Sequence, residues 1–508
     1  MRRRLLPLAL TLAALATSVG GCRLLSRPAA APVDAGPDAP PALAAIDTAT
    51  LRRDLFALAG DALAGREAGT EDELRAAAWV AERAREAGLR PAGDDGTYFQ
   101  FFPMRRVRVA EGARVVLDGT PLAMWDEAAV VAPVDAALSQ VPVVWVGTAT
   151  GDSLRRFDLR GMVVAARLVP PARPPVSWIS LREWRYARAA LNERVAALAD
   201  AGASAVVLVA DDSTDGAFAS MLPQLRRGAY NIDSAGTGRP TARIPAVWVR
   251  APMLARVRGA KRMTLNLRAE SFVYPSVNVV AVAPGRDSTL RGEHVLFSGH
   301  HDHDGARQVV AGDSIWNGAD DNASVSVAML AIGRAWTRAP GRRSALFVWH
   351  GAEERGLLGS RWYVWRPTVP RASIVAVLNA DMIGRNHPDT AALLGSQPPH
   401  RNSNALVNAA LGANDRVSRF VVDSSWDRPT HPEGWYFRSD HLPYARAGIP
   451  SVFFTTLLHA DYHTPRDEPS RIDLAKLARV TRWMYATGWA VSETPARPGV
   501  VPGFRLER

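Results

Sequence analysis

His300, Asp321, Glu353, Glu354, Asp381 and His463 each stand just beyond a short apolar run or at the opening of a helical one. Two imidazoles and three carboxylates are a donor set suited to two divalent cations, with one carboxylate left over as a base. Metal-assisted hydrolysis is the chemistry such a set serves best. In Ser298-Gly299-His300-His301-Asp302-His303, the His-x-Asp spacing lets His300 bind metal through one ring nitrogen while Asp302 fixes the orientation of the ring. His301 and His303 are expected to point elsewhere, because side chains alternate along an extended segment. The Asp320-Asp321 turn puts a carboxylate at a helix start, where both oxygens can be offered to two metals. Taken alone, that turn reads as a plain N-cap. Adjacent Glu353 and Glu354 suit a division of labour, one on metal and one holding the proton of the attacking water. Asp381 and His463 complete the set, and the phenol of Tyr462 can donate to a developing oxyanion.

Residues so far apart in sequence converge only if a sheet gathers them. Apolar runs at 278–282, 294–298, 345–349, 374–378 and 451–455 predict strands buried on both faces, and 324–335 and 474–490 predict helices. This alternation implies an α/β fold, a mostly parallel central sheet flanked by helices, with its site at the carboxyl ends of the strands. Upstream, Thr70 and Glu73 form a capping box. The helix it opens carries Leu74, Ala77, Ala78, Ala81 and Ala84 along one face and ends at Gly88 and Pro91. Between 104 and 267 the pattern changes to short strands at 115–117, 141–146, 162–166, 205–210 and 244–249, with a helix at 187–201. That stretch reads as an inserted, β-rich α/β accessory domain with arginine-rich loops and no donor cluster of its own. The partition is then 47–104 with 269–495 for the hydrolase domain, 105–268 for the insertion and 496–508 for a tail.

A chain of 508 residues, 47% of them hydrophobic, is long enough for more than one core. The formal charge is +11, and nearly all the basic residues are arginine, Lys261 and Lys476 being the only lysines. Acids are interspersed among them, which argues against a nucleic-acid surface. No run beyond the leader is apolar and long enough to span a membrane. Cys22 is the single cysteine, so no intramolecular disulfide can form. Arg2 to Arg4 are basic, 5–17 are apolar, and Val19-Gly20-Gly21 supplies small residues before the thiol. This resembles a bacterial lipoprotein signal at 1–21, with a lipid on Cys22 and the Ala- and Pro-rich stretch 22–46 as a tether. Such a leader implies export to the cell envelope, and Arg23 after the cysteine favours the outer membrane of a Gram-negative bacterium.

The motif set as a whole resembles the di-zinc aminopeptidase family of the aminopeptidase Y and aminopeptidase S type, related to glutamate carboxypeptidase and the transferrin receptor. The resemblance rests on His300-x-Asp302, the Asp320-Asp321-Asn322-Ala323-Ser324 turn, and Glu353-Glu354 with the Gly356-to-Ser360 run. It extends through Asn379-x-Asp381-Met382, Ser439-Asp440-His441, Gly448-Ile449-Pro450 and Tyr462-His463-Thr464-Pro465 with Asp467, and upstream to Ala64 through Thr70. It implies a zinc held by His300 and Asp381, a second held by Glu354 and His463, and Asp321 bridging them ahead of a cis peptide to Asn322. A hydroxide would lie between the ions, Glu353 would be general base and acid, and Tyr462 would assist at the oxyanion. Cobalt or manganese could substitute for zinc. The implied activity is removal of N-terminal residues from peptides, and the insertion resembles a protease-associated domain. A carboxypeptidase or dipeptidase of the same superfamily, a glutaminyl cyclase and a non-catalytic scaffold are the alternatives.

Overall fold

The computed structural model describes residues 40–175, 181–234 and 242–507. The expected leader at 1–21, the lipid on Cys22 and the tether as far as residue 39 lie outside the described residues. By residue 46 the chain is already in the body, since Ile46 is fully buried and Leu43 packs against the same core. The C-terminal stretch is likewise docked: the Val501 N–H donates to the Asn402 carbonyl at 2.7 Å, and Glu507 meets His400 Nε2 at 2.8 Å.

Nine strands order the first sheet: β1 (Phe99–Val109), β2 (Ala229–Ile232), β3 (Ala269–Ala283), β4 (His294–His300), β5 (Ser344–His350), β6 (Ile374–Ala380), β7 (Thr390–Leu394), β8 (Val421–Asp423) and β9 (Ser451–Thr455). Their spatial order is β8-β7-β9-β6-β4-β5-β3-β1-β2, and a two-residue strand, Arg90–Pro91, pairs with β3. The run β5-β4-β6-β9 is parallel, while β3 pairs antiparallel with β5 and β1 pairs antiparallel with β3. Every residue of β5, β6 and β9 is buried, the pattern of strands covered on both faces.

Within β4, Val295 and Phe297 enter the larger core beneath the helices Val325–Arg338 and Leu474–Glu493, while Leu296 enters a smaller core with Tyr363 and Tyr444 on the opposite face. The period of two thus assigns neighbours to opposite layers. Each such large apolar side chain contributes about 1.5–3 kcal/mol by leaving water.

The helix Glu71–Glu86 is rotated from expectation. It buries Glu73, Ala76, Ala77, Val80, Ala81 and Ala84 and leaves Leu74 39% exposed. Glu73 turns inward because its carboxyl accepts the Gly69 N–H and the Ser276 hydroxyl, both at 2.6 Å. Only half of the capping box forms, Thr70 Oγ1 accepting the Glu73 N–H at 3.4 Å.

A second sheet of eight strands lies between residues 114 and 267. Its centre is Ala136–Gly147, Val163–Arg167, Ala205–Val209 and Ala246–Val249, paired in parallel. The helices Arg182–Asp200 and Asp212–Arg227 pack on it through Leu191, Leu198, Phe218 and Trp248. The long antiparallel ribbon of β1 and β3, in register from Phe99↔Val279 to Val109↔Ala269, leads the chain into this region and out again. One strand from the span 105–268, β2, returns to the first sheet by pairing with β1.

Candidate metal centre

The carboxyl ends of β4, β5, β6 and β9 lie side by side, so the residues that follow them meet. β4 ends on His300 itself. β5 ends at His350, two residues before a short turn that carries Glu353 and Glu354. Asp381 follows β6, and a loop after β9 brings in His463. Asp321 arrives from the turn that opens Val325–Arg338, and its peptide bond to Asn322 is cis, as the resemblance implied. The backbone N–H groups of Asp320 and Asp321 both donate to Asp467, which anchors this turn at 3.0 Å. Ala352, Met382 and His463 hold φ of +52°, +55° and +51°, a region costly for residues with a Cβ, and each is a donor or the immediate neighbour of one. Strain of that kind aims the neighbouring side chains.

Two donor groups result. In one, His303, Asp321, Glu354 and His463 offer atoms within 4.8 Å of one another, and in the other His300, Glu353 and Asp381 do so. Asp321 joins both: its Oδ1 lies 3.2 Å from His300 Nε2 and its Oδ2 lies 3.0 Å from His463 Nε2. His300 Nε2 is 3.7 Å from Asp381 and 3.9 Å from Glu353. His463 Nε2 is 3.2 Å from Glu354. All five expected ligands and the expected base therefore converge.

Two assignments from sequence are corrected, and one residue was missed. His303 does not point away; its Nδ1 is 2.9 Å from Glu354 Oε1. Strand β4 ends at His300, so the alternation used to discard His303 no longer applies beyond that residue. Asp302 is not chiefly the orienter of His300. The ring Nδ1 lies 3.1 Å from the Asp302 backbone carbonyl and 3.6 Å from its carboxylate. That carboxylate accepts the N–H groups of Glu353 at 3.0 Å and Glu354 at 3.3 Å, so it holds the glutamate turn in place. The orienter that sequence reasoning missed is Asp304, whose Oδ2 is 3.1 Å from His463 Nδ1 while Arg307 and Arg355 hold the same carboxylate. Its place just beyond the His-x-Asp segment was the available signal.

The electrostatics follow from packing carboxylates and imidazoles out of water. Burial, with Glu354, Asp381 and Asp440 adding to it, pushes the Glu353 carboxyl well above the usual range against the pull of His300. Burial also works against charge on Glu354, yet His463 and His303 keep its carboxyl low. Burial raises the Tyr462 phenol to about 12, so it remains a hydroxyl at neutral pH, and Arg438 donates to its oxygen at 3.2 Å. His300 Nε2, His303 Nδ1, His463 Nε2 and Glu354 Oε1 are buried without a hydrogen bond. Leaving such atoms unpaired costs about 1–3 kcal/mol each. Atoms of these types facing one another at 2.9–3.2 Å suit shared divalent cations, which would satisfy them together. The centre opens onto a cleft of about 570 Å³ whose far wall includes Trp184, Arg185 and Arg188 from the helix Arg182–Asp200.

Residues 278–488 match the model of peptidase family M28. Leupeptin-inactivating enzyme 1 of Streptomyces exfoliatus is 33% identical over 178 residues, which is 34% of this chain and 34% of that protein. Aminopeptidase YwaD of Bacillus subtilis (strain 168) is 27% identical over 191 residues, 36% of this chain and 40% of that one. The chain spans about a third to two fifths of the length of these two relatives. Among solved structures, an aminopeptidase from Aneurinibacillus sp. strain AM-1 shares the fold with a TM-score of 0.57 at 19% identity, over 91% of this chain and 97% of that one. The M28 match lies on the sheet whose strand ends carry the donors.

Proposed function

We propose that the protein is a metal-dependent aminopeptidase that removes N-terminal residues from peptides with two zinc ions per chain. The observation that carries this reading is Asp321, whose two oxygens face the imidazoles of two separate donor groups at 3.2 and 3.0 Å. Mixed imidazole and carboxylate donors suit zinc, with cobalt or manganese as substitutes. Bound there, the ions would act as Lewis acids toward water and the scissile carbonyl. Glu353, positioned through its N–H on Asp302, takes a proton from the attacking water and passes it to the leaving amine. Tyr462, held by Arg438, donates its O–H toward the carbonyl oxygen as charge develops there. The carboxylates around the centre favour a free α-ammonium on the substrate.

The metal-stripped protein should regain hydrolysis of aminoacyl-nitroanilides with two equivalents of zinc and should spare N-acetylated counterparts. Cleavage of the acetylated set alone, or full activity with one equivalent, defeats the proposal.

A carboxypeptidase or dipeptidase is the second reading, and Arg188 favours it. Its guanidinium lies over Trp184 at 5.2 Å in the cleft wall, and among the described residues it has no ion pair, whereas Arg185 and Arg438 share Glu433. A substrate carboxylate would suit it. Loss of cleavage when the C-terminus of a dipeptide is amidated would select this branch. The insertion, as a protease-associated domain, would act by bordering the cleft. Residues 1–21 are proposed as a lipoprotein leader that anchors Cys22 in the cell envelope. Palmitate label entering the wild type but not Cys22→Ala tests this.

A further inference from the structure

We infer that His303 is a direct metal ligand and that it makes the two cation positions unequal. The inference rests on the two-metal reading above. One position is closed by four protein donors, His303, His463, Glu354 and Asp321 Oδ2. The other has His300 and Asp381, with Asp321 Oδ1 3.2 Å from His300 Nε2 and Glu353 beside it, one ligand fewer once Glu353 serves as the base. Closed four-donor sites hold zinc structurally, and sites with three protein donors do chemistry. By that count the His303 position would hold its ion more tightly than the His300 position, while Glu353, Glu354, Asp381 and His463 all line the cleft.

Four donor-to-donor separations at the closed position are 2.9, 3.0, 3.2 and 3.9 Å. A tetrahedron with metal bonds of about 2.0–2.1 Å has edges of about 3.3 Å, within that spread. His303 Nδ1 and Glu354 Oε1 are 2.9 Å apart, yet neither makes a hydrogen bond, as expected of two lone pairs directed at one common point.

The ring is also built into place. The His303 N–H donates to the Arg66 carbonyl at 3.2 Å. The fully buried Arg66 guanidinium in turn donates to the carbonyls of His301, Asn317 and Gly318 at 2.7–2.9 Å. A Cβ on Gly318 would lie 2.3 Å from His303 Cγ, so the glycine makes room for this imidazole. The ring stands edge-on to that of His463 at 5.3 Å.

The test is titration of the metal-free full chain with Co²⁺, followed by visible absorption and elemental analysis. Two equivalents of unequal affinity are expected, the tighter with the strong absorption of four-coordinate Co²⁺. His303→Ala should weaken that equivalent more than about tenfold, beyond the loss of an outer-shell partner at its mildest, and remove the four-coordinate band while the weaker one stays. His303→Gln, which keeps a hydrogen-bond donor, should behave like the alanine variant. Recovery of tight binding in His303→Gln would make the residue a hydrogen-bonding positioner and overturn the inference. So would two equal affinities that His303→Ala leaves unchanged. If His303→Ala fails to fold, a first equivalent with the weak spectrum of higher coordination in the wild type overturns it. Uptake of fewer than two equivalents by the wild type removes the two-metal reading itself, and this inference with it.

Discussion

Both large sheets of this molecule contain parallel strands with acidic residues at their carboxyl ends, and among the described residues only one of them gathers a candidate donor centre. In the second sheet, Ala205–Val209 leads to Asp211, which caps the helix Asp212–Arg227 by accepting the Thr214 N–H at 2.8 Å. Asp215, one turn on, is held by Arg250 at 2.8 Å and by the Ala251 N–H at 2.7 Å. Each carboxylate there finds an amide or a guanidinium. In the first sheet, Asp321 and Glu354 face imidazoles instead, at 2.9–3.2 Å. The parallel topology supplies the location, and unsatisfied donors supply the chemistry.

The contrast can be broken most severely at Asp321. Asp321→Ala should reduce metal content from two equivalents to one or none and bring turnover to background, with a lower Tm, because metal binding contributes to folding. Elemental analysis with thermal unfolding reads this, and retention of both ions would end the bridging assignment. Glu353→Gln should lower kcat by roughly 10²–10⁴-fold while metal content and Tm stay at wild-type values. A near-normal rate would remove Glu353 from proton transfer.

Glu73 is a buried acid that its own protein partners satisfy, and it sharpens the comparison. Burial, with Asp302 adding to it, raises its carboxyl to about 8 against hydrogen bonds from Ser276 and Gly69. A carboxyl raised above its unfolded value of 4.5 favours the folded state fully below pH 4.5, and that contribution is lost as pH rises toward 8. The neutral Glu73→Gln should therefore flatten the pH dependence of stability across this window by several kcal/mol, on the order of 1.4 per pH unit. Identical unfolding curves at pH 5 and pH 8 in both proteins would refute it. The smallest effect belongs to the second sheet. Asp211→Ala should cost about 1 kcal/mol in denaturant unfolding as a lost cap, with metal content and activity untouched.

The strand exits carrying His300, Glu353, Asp381 and His463 were legible because fully buried strands are continuous apolar runs, and donors placed after them share one edge of the sheet. The helix Glu71–Glu86 was legible in existence but not in rotation, since a hydrogen bond from Ser276, 203 residues away, turns Glu73 inward and Leu74 out. Local spacing also failed at His303 and Asp302. The backbone leaves the strand path after His300, and Arg66 fixes its new course through carbonyls on either side.

Composition and period determined the five strands β3, β4, β5, β6 and β9, the α/β class and most of the candidate donors, because burial on both faces demands apolar runs and the motif residues lie within short local segments. Tertiary structure decided which candidate donors lie within reach of one another, that Asp304 stands beside His463, and that the helix Arg182–Asp200 lines the cleft. These depend on contacts between segments tens to hundreds of residues apart, whose distances are set by how the layers pack.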